Sequence, residues 1–246
     1  MIVWSHPPNN LSLQSNHVDV WRVITNLQHY SLSAFETILS TDELQHASRF
    51  HFDKDRERYL VAHTSLRHIL SRYLQAEPNW LNFSTNVYGK PFLPDYVIEF
   101  NLSHSGDYAL IAIAHSRNVG VDVEQLRADI EIESLAGRYF SPREVSELMA
   151  LPPQQRLIGF FNCWTRKEAY IKARGLGLSL PLDSFDVSLK PSRPAVLRAT
   201  RPDAGAALQW TMLSLEVGAK YAGAVAVWGN DLDFRFWDWI TPETYE

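Results

Sequence analysis

Apolar positions along this chain follow two periods and switch between them several times. From Asp53 to Gln75 the apolar stripe Tyr59, Ala62, Leu66, Ile69, Leu70, Tyr73 and Leu74 recurs at three- and four-residue intervals, which predicts a long amphipathic helix. A second long helix is predicted from about Pro153 to Ala173, closed by Gly175. Two shorter helices are announced by their starts. Ser40-Thr41-Asp42-Glu43 has the form of a capping box and opens a helix through about Arg49. Ser141-Pro142-Arg143-Glu144 places a serine cap before a proline at the first helical position. Strands are predicted at Phe83 to Thr85, Ile98 to Ser103, Tyr108 to His115, Val119 to Glu124, Phe185 to Leu189, Leu208 to Glu216 and Tyr221 to Trp228. Each half thus carries one long helix followed by several short strands. The order predicts an α+β chain of two similar halves that meet near Arg117 to Val119.

One strand and one helix carry the chemistry. Gly120-Val121-Asp122-Val123-Glu124 alternates apolar and acidic residues, so Asp122 and Glu124 leave the same face of the strand. In Trp164-Thr165-Arg166-Lys167-Glu168-Ala169-Tyr170-Ile171-Lys172, helical spacing puts Trp164, Glu168 and Lys172 on one face. If those two faces meet, three carboxylates and an ammonium converge. Oxygen donors of this kind suit Mg²⁺, which completes its shell with water and substrate phosphates. A lysine beside them suits an anionic substrate. The pattern points to metal-assisted chemistry on a phosphate or pyrophosphate. Trp164 itself reads as core packing.

Composition narrows the setting. At 246 residues, 46% hydrophobic and 21% charged, the chain is ordinary for a globular protein of one large or two small domains. A formal charge of -5 argues against a general nucleic-acid binder. A local basic patch for an acidic partner could draw on Arg56, Arg58, Arg67, Arg72, Arg166, Lys167, Lys172 and Arg174. The single cysteine, Cys163, excludes an intramolecular disulfide and a multi-cysteine zinc site, and its aromatic neighbours make it a small buried residue. Met1 to Asn10 lacks the form of a secretory signal, and the longest apolar run, Tyr108 to Ala114, is far too short to span a bilayer. A cytoplasmic protein with no membrane partner is expected.

The two acidic motifs together resemble those of the Sfp-type 4′-phosphopantetheinyl transferases, and the resemblance covers most of the chain. Tyr88-Gly89-Lys90-Pro91-Phe92-Leu93-Pro94 is similar to the family's loop against coenzyme A. Asn101-Leu102-Ser103-His104-Ser105 is similar to its strand end beside the nucleotide, and Gly175 to Phe185 continues the pattern after the catalytic helix. The resemblance implies a pseudo-dimer of two related subdomains, 1-117 on the coenzyme A-binding side and 118-246 with the metal and the catalytic helix, each a long helix on a small, mostly antiparallel sheet. The active site would lie in the cleft between them. A chain of this length with Glu124 resembles the larger class of the family, which argues for a monomer.

The implied reaction is Mg²⁺-dependent transfer of the phosphopantetheine arm of coenzyme A to a serine of an acyl or peptidyl carrier protein, releasing 3′,5′-ADP. By the same resemblance Asp122, Glu124 and Glu168 are the metal ligands, and Glu168 is also the general base, directly or through a metal-bound water. Lys172 would neutralise charge on the phosphoryl oxygens. Ser103 and His104 carry over as coenzyme A contacts. Gly89, Lys90 and Pro91 form a turn whose lysine reaches the phosphates, and Arg58 is a candidate partner for the 3′-phosphate. Lys167 reads either as a phosphate contact or as a solvated surface lysine.

One departure stands out. Where some relatives carry lysines for the 3′-phosphate, this chain has Glu43 and His46, leaving Arg49, Arg58 and His104 as substitutes. Glu144 reads as structural or as a support to the site. Two other functions use the same residues: a coenzyme A-binding module without catalysis, and an unrelated Mg²⁺-dependent phosphohydrolase. The carrier protein and its pathway, whether fatty-acid, polyketide or peptide synthesis, are not written in the sequence.

Overall fold

The computed structural model describes residues 2–25, 32–201 and 203–240. The first half contains β1 (His17–Ile24), α1 (Leu32–Ile38), α2 (Thr41–Ala47), α3 (Asp53–Leu74), β2 (Ser84–Thr85), β3 (Pro91–Phe92), β4 (Ile98–Ser105) and β5 (Tyr108–His115). The second begins with β6 (Val119–Gln125), α4 (Ile132–Tyr139), α5 (Pro142–Met149) and α6 (Pro153–Arg174). It continues with β7 (Phe185–Val187), β8 (Leu197–Thr200), β9 (Trp210–Ser214), β10 (Tyr221–Trp228) and β11 (Asp233–Asp238).

Both long helices arise where the 3.6-residue stripe predicts them, and each spans 22 residues. Both capping boxes form: Ser40 and Ser141 each accept from the backbone of the glutamate three residues on, whose side chain bonds back. Gly175 ends α6 in the left-handed conformation, φ 64°, which glycine adopts without a Cβ penalty.

The strands form two principal sheets, β11-β1-β5-β4 and β6-β10-β9, which place β4 and β6 at edges. In β5 both faces are buried. Ala109, Ile111 and Ile113 meet α3, while Leu110, Ala112 and Ala114 join a core shared with Val119, Val121 and Val123 of β6 and Val225 and Val227 of β10. This shared core, completed by Val18 and Val20 of β1, is the apolar contact between the halves. On the other side of the second sheet, Ala222, Ala224 and Ala226 pack with Ala169, Tyr170 and Ala173 of α6. Small residues on both surfaces let the helix lie close.

The α+β class and the two-sheet architecture agree with the expectation. Several elements were not anticipated: β1, β3, β8, β11, α1 and α4. The strand expected over Leu208 to Glu216 is shorter, because residues 204–209 form a 3-10 turn before it. One strand of the stretch 118-246 crosses between the sheets. This last strand, β11, lies in the first half's sheet, parallel to β1, with Asp19 opposite Arg235 and Arg22 opposite Asp238. Among the described residues, no helix is long and apolar enough to cross a membrane.

Candidate active site

The site lies along the seam where edge strand β4 runs beside edge strand β6, under α6. At Gly120 a Cβ would collide with the backbone of Ala169 and Ala173, so the glycine lets α6 rest directly on β6. That contact brings the acidic face of the strand to the acidic face of the helix.

Lys172 Nζ donates to Asp122 Oδ1 at 2.6 Å and to Ser103 Oγ at 2.8 Å. Ser103 in turn donates to Asp122 Oδ1 at 2.9 Å and accepts from Val123 N at 3.4 Å. Asp122 is almost wholly buried, and its second oxygen, Oδ2, has no hydrogen-bond partner among the described residues. Glu124 Oε2 accepts from Ser105 Oγ at 2.9 Å. Burial pushes the carboxyl groups of Asp122, Glu124 and Glu168 above their ordinary values, and the charge of Asp122 adds to this at both glutamates. Lys172 works the other way on all three. The three acids and the lysine that the sequence sets on two faces thus share one electrostatic environment. Among the described residues, no three carboxylate, imidazole or thiol groups are already gathered closely enough to enclose a metal ion.

His104 follows Ser103 on β4 and reaches the surface. The protein around it disfavours its cation, and the positive charges of His63, Lys172 and Arg58 add to this, bringing its pKa down to about 4. Arg58 is engaged with Asp107 at 2.8 Å and Asp55 at 3.4 Å. Glu43 belongs to a closed network. Burial alone would raise its pKa, but bonds from His63, Arg67 and the Ser40 backbone, with the Arg67 charge, lower it to about 2. His46 stacks obliquely on Tyr59, which stacks on His63 at 3.9 Å between ring centroids.

Three residues sit differently from their predicted roles. Lys167 is fully buried: its ammonium meets Glu144 at 2.7 Å, donates to the carbonyls of Leu182 and Phe185, and lies over the Phe185 ring. It is not a solvated surface lysine. It ties α6 to the segment before β7, and Glu144, which also accepts from Val187 N, is its structural counter-ion. Lys90 Nζ donates to the carbonyls of Val119 and Ala173 and lies 3.7 Å from Glu99, so it clamps the β2–β3 turn to β6 and the end of α6. Gly89, φ 87°, lies in that turn, and Pro91 opens β3 just after it. Ser103, expected at coenzyme A, spends its hydroxyl on Asp122. Of the basic-patch candidates, Arg67 and Arg166 are also buried. Trp164 packs on Phe160, and Cys163 is buried with its thiol pKa pushed well up.

Ser105 and Asn101 had no assigned role. Asn101 Oδ1 accepts from Val121 N, in series with the two serines. The signal was present as three hydrogen-bonding side chains at every second position of a strand.

The stretches that form the seam match known protein families. The 4′-phosphopantetheinyl transferase superfamily profile matches residues 118–226, and a 4′-phosphopantetheinyl transferase N-terminal profile matches residues 26–116. The chain is 40% identical over 238 residues to the 4′-phosphopantetheinyl transferase HetI of Nostoc sp. strain PCC 7120, covering 95% of this chain and 97% of that one. This chain belongs to the 4′-phosphopantetheinyl transferase family. It is also 38% identical over 156 residues to Sfp of Bacillus subtilis strain 168, covering 63% of this chain and 68% of the relative. A putative 4′-phosphopantetheinyl transferase of Synechocystis sp. strain PCC 6803 is 32% identical over 74% of both chains. The protein is therefore a transferase of the class that converts apo carrier protein to its holo form with coenzyme A. In this phosphopantetheinyl transferase Asp122, Glu124 and Glu168 come from the second half, and the hydroxyls that bond Asp122 and Glu124 come from the first.

Proposed function

We propose that this transferase works with Mg²⁺ held by Asp122, Glu124 and Glu168, on coenzyme A lying across the seam between the halves. The observation that carries the reading is the pairing of a buried, unpartnered Asp122 Oδ2 with two further carboxylates of raised pKa. Buried like charges with an orphaned oxygen are costly unless a cation joins them. The donor set, three carboxylate oxygens, is of the kind Mg²⁺ takes. When bound, the ion supplies positive charge to pyrophosphate oxygens that otherwise repel a nucleophile.

The chain's own residues supply the rest. Lys172 is already beside Asp122 and is the group placed to neutralise charge developing on the phosphoryl oxygens. Glu168, one helical turn away on α6, accepts the proton of the carrier serine hydroxyl as that oxygen attacks. His104 adds a neutral ring donor and Arg58 adds positive charge on the first-half side, where the nucleotide would lie, and the turn at Gly89 bounds it. The carrier is an acyl or peptidyl carrier protein. The enzyme acts as a monomer in the cytoplasm, its two halves meeting near residue 117 apart from the returning strand β11.

The test is intact mass spectrometry of apo carrier protein incubated with this protein and coenzyme A. A gain of one phosphopantetheinyl group with Mg²⁺, abolished by EDTA, is expected. Equal transfer in EDTA would contradict the metal's part. Consumption of coenzyme A with no gain on any carrier would mark a hydrolase instead.

A further inference from the structure

From the seam we infer that Ser105 is a positioning residue for Glu124, fixing the carboxylate's direction before any ion arrives. The inference rests on the proposed metal site and adds a residue to its support. Its basis is a side-chain ladder. Strands β4 and β6 lie side by side as edges of different sheets, and side chains of β4 bond the β6 backbone. Asn101 meets Val121 N at 2.9 Å, Ser103 meets Val123 N at 3.4 Å and Ser105 meets Gln125 N at 3.1 Å.

The two serines do a second thing that the asparagine does not. Each accepts from an odd-numbered amide of β6 and gives its only proton to the neighbouring even-numbered carboxylate: Ser103 to Asp122, Ser105 to Glu124. A hydroxyl held by an amide keeps its oxygen in place and turns its one proton to the acceptor within reach, here the carboxylate. The carboxylate receiving it is held at one oxygen. For Asp122 this support is shared with Lys172. For Glu124, the bond from Ser105 Oγ at 2.9 Å is the only side-chain hydrogen bond among the described residues.

The position of Ser105 is itself braced. Gly106, φ 58°, turns the chain where a Cβ would strike Tyr221 and Gln125, and Tyr221 Oη accepts from Asp107 N at 3.0 Å. The β4–β5 turn is thereby pressed against the end of β6. Groups that orient ligand side chains in this way typically change metal affinity by about 10–100-fold when removed.

The experiment is Mn²⁺ binding, followed by electron paramagnetic resonance, to the full chain with saturating coenzyme A and no carrier. Coenzyme A affinity is measured separately in EDTA. In S105A, Mn²⁺ affinity is expected to fall about 10–100-fold, while coenzyme A affinity in EDTA stays as in the wild type. S105C, which keeps the size and weakens the donor, is expected to follow S105A, and S105T to retain binding within a few-fold. Melting curves confirm that each variant is folded. Mn²⁺ affinity unchanged in both S105A and S105C would overturn the inference, as would an equal loss of coenzyme A affinity in EDTA, which would make Ser105 a nucleotide contact. A wild-type protein that bound no Mn²⁺ would fail at the first step, and the proposed metal site would fall with it.

Discussion

At Gly120 the strand β6 has no side chain, and the backbone of α6 at Ala169 and Ala173 occupies the space a Cβ would need. Gly120→Ala must therefore shift the helix that carries Glu168 and Lys172. It should cost about 1–3 kcal/mol in stability, as overpacking does, and lower transfer as well. Urea denaturation and a transfer assay on the same sample check both.

Lys167 separates two readings just as sharply. The buried pair with Glu144 means that Lys167→Ala leaves a carboxylate unpaired in the core, at a cost of about 3–5 kcal/mol. A variant of unchanged stability with a raised KM for coenzyme A would restore the role of phosphate contact. The sequence could not settle this, because Lys167 and Glu168 are neighbours on one helix and only packing decides which faces the sheet edge and which faces the interior. Asp122, Glu124, Glu168 and Lys172 were legible because i+2 and i+4 spacing states which side chains share a face. Ser105 was missed because its partner lies on another strand of another sheet.

Among the elements, β1 and β11 were the least visible from sequence. Each has polar groups within its strand: Asp19 and Arg22 in one, Arg235 and Asp238 in the other. These are core-compatible only because they meet across the parallel ladder. Arg235 reaches both oxygens of Asp19 at 2.6 and 2.8 Å, and Arg22 reaches both oxygens of Asp238 at 2.8 and 3.0 Å. Tyr73 of α3 also donates to Asp19 at 2.5 Å. Arg235→Ala should cost about 3–5 kcal/mol by stranding the fully buried Asp19, with the KM for coenzyme A unchanged. Denaturant midpoints and steady-state kinetics report the two separately.

The network around Glu43 gives α2 and α3 a pH signature. Its folded pKa, about 2, lies below the unfolded carboxylate value of about 4.3. Its contribution is therefore present above that unfolded value and lost as pH falls toward 2. Glu43→Gln should cost about 3 kcal/mol at pH 7, and the gap from wild type should close as pH approaches 2. Half-buried His68 adds loss over a higher range. Its pKa is lowered by burial to about 4, so stability present above about 6.5 falls as pH drops toward 4. Urea midpoints across pH 2 to 7 test both.

For the whole molecule, the two halves share a core, so the seam between β4 and β6 is set by apolar packing rather than by the polar groups that line it. The α+β order, both long helices and the edge strands that flank the site could be read from hydrophobic periods. The crossing of β11 into the first sheet could not, since nothing local tells a strand which sheet it will join. A cation drawn into the site should stabilise the whole chain, because it relieves buried carboxylates contributed along the seam. Added Mg²⁺ should raise the melting temperature, more so with coenzyme A present, and Asp122→Asn should remove most of the rise. The central claim is that the acids where α6 meets β6 carry out the transfer. It is tested most directly by single-turnover transfer to apo carrier protein in Glu168→Gln, read by intact mass, with coenzyme A affinity measured in parallel. The Glu168→Gln rate should be about 10²–10⁴-fold below wild type at nearly unchanged coenzyme A affinity, whereas a wild-type rate in that variant would contradict a catalytic part for these acids.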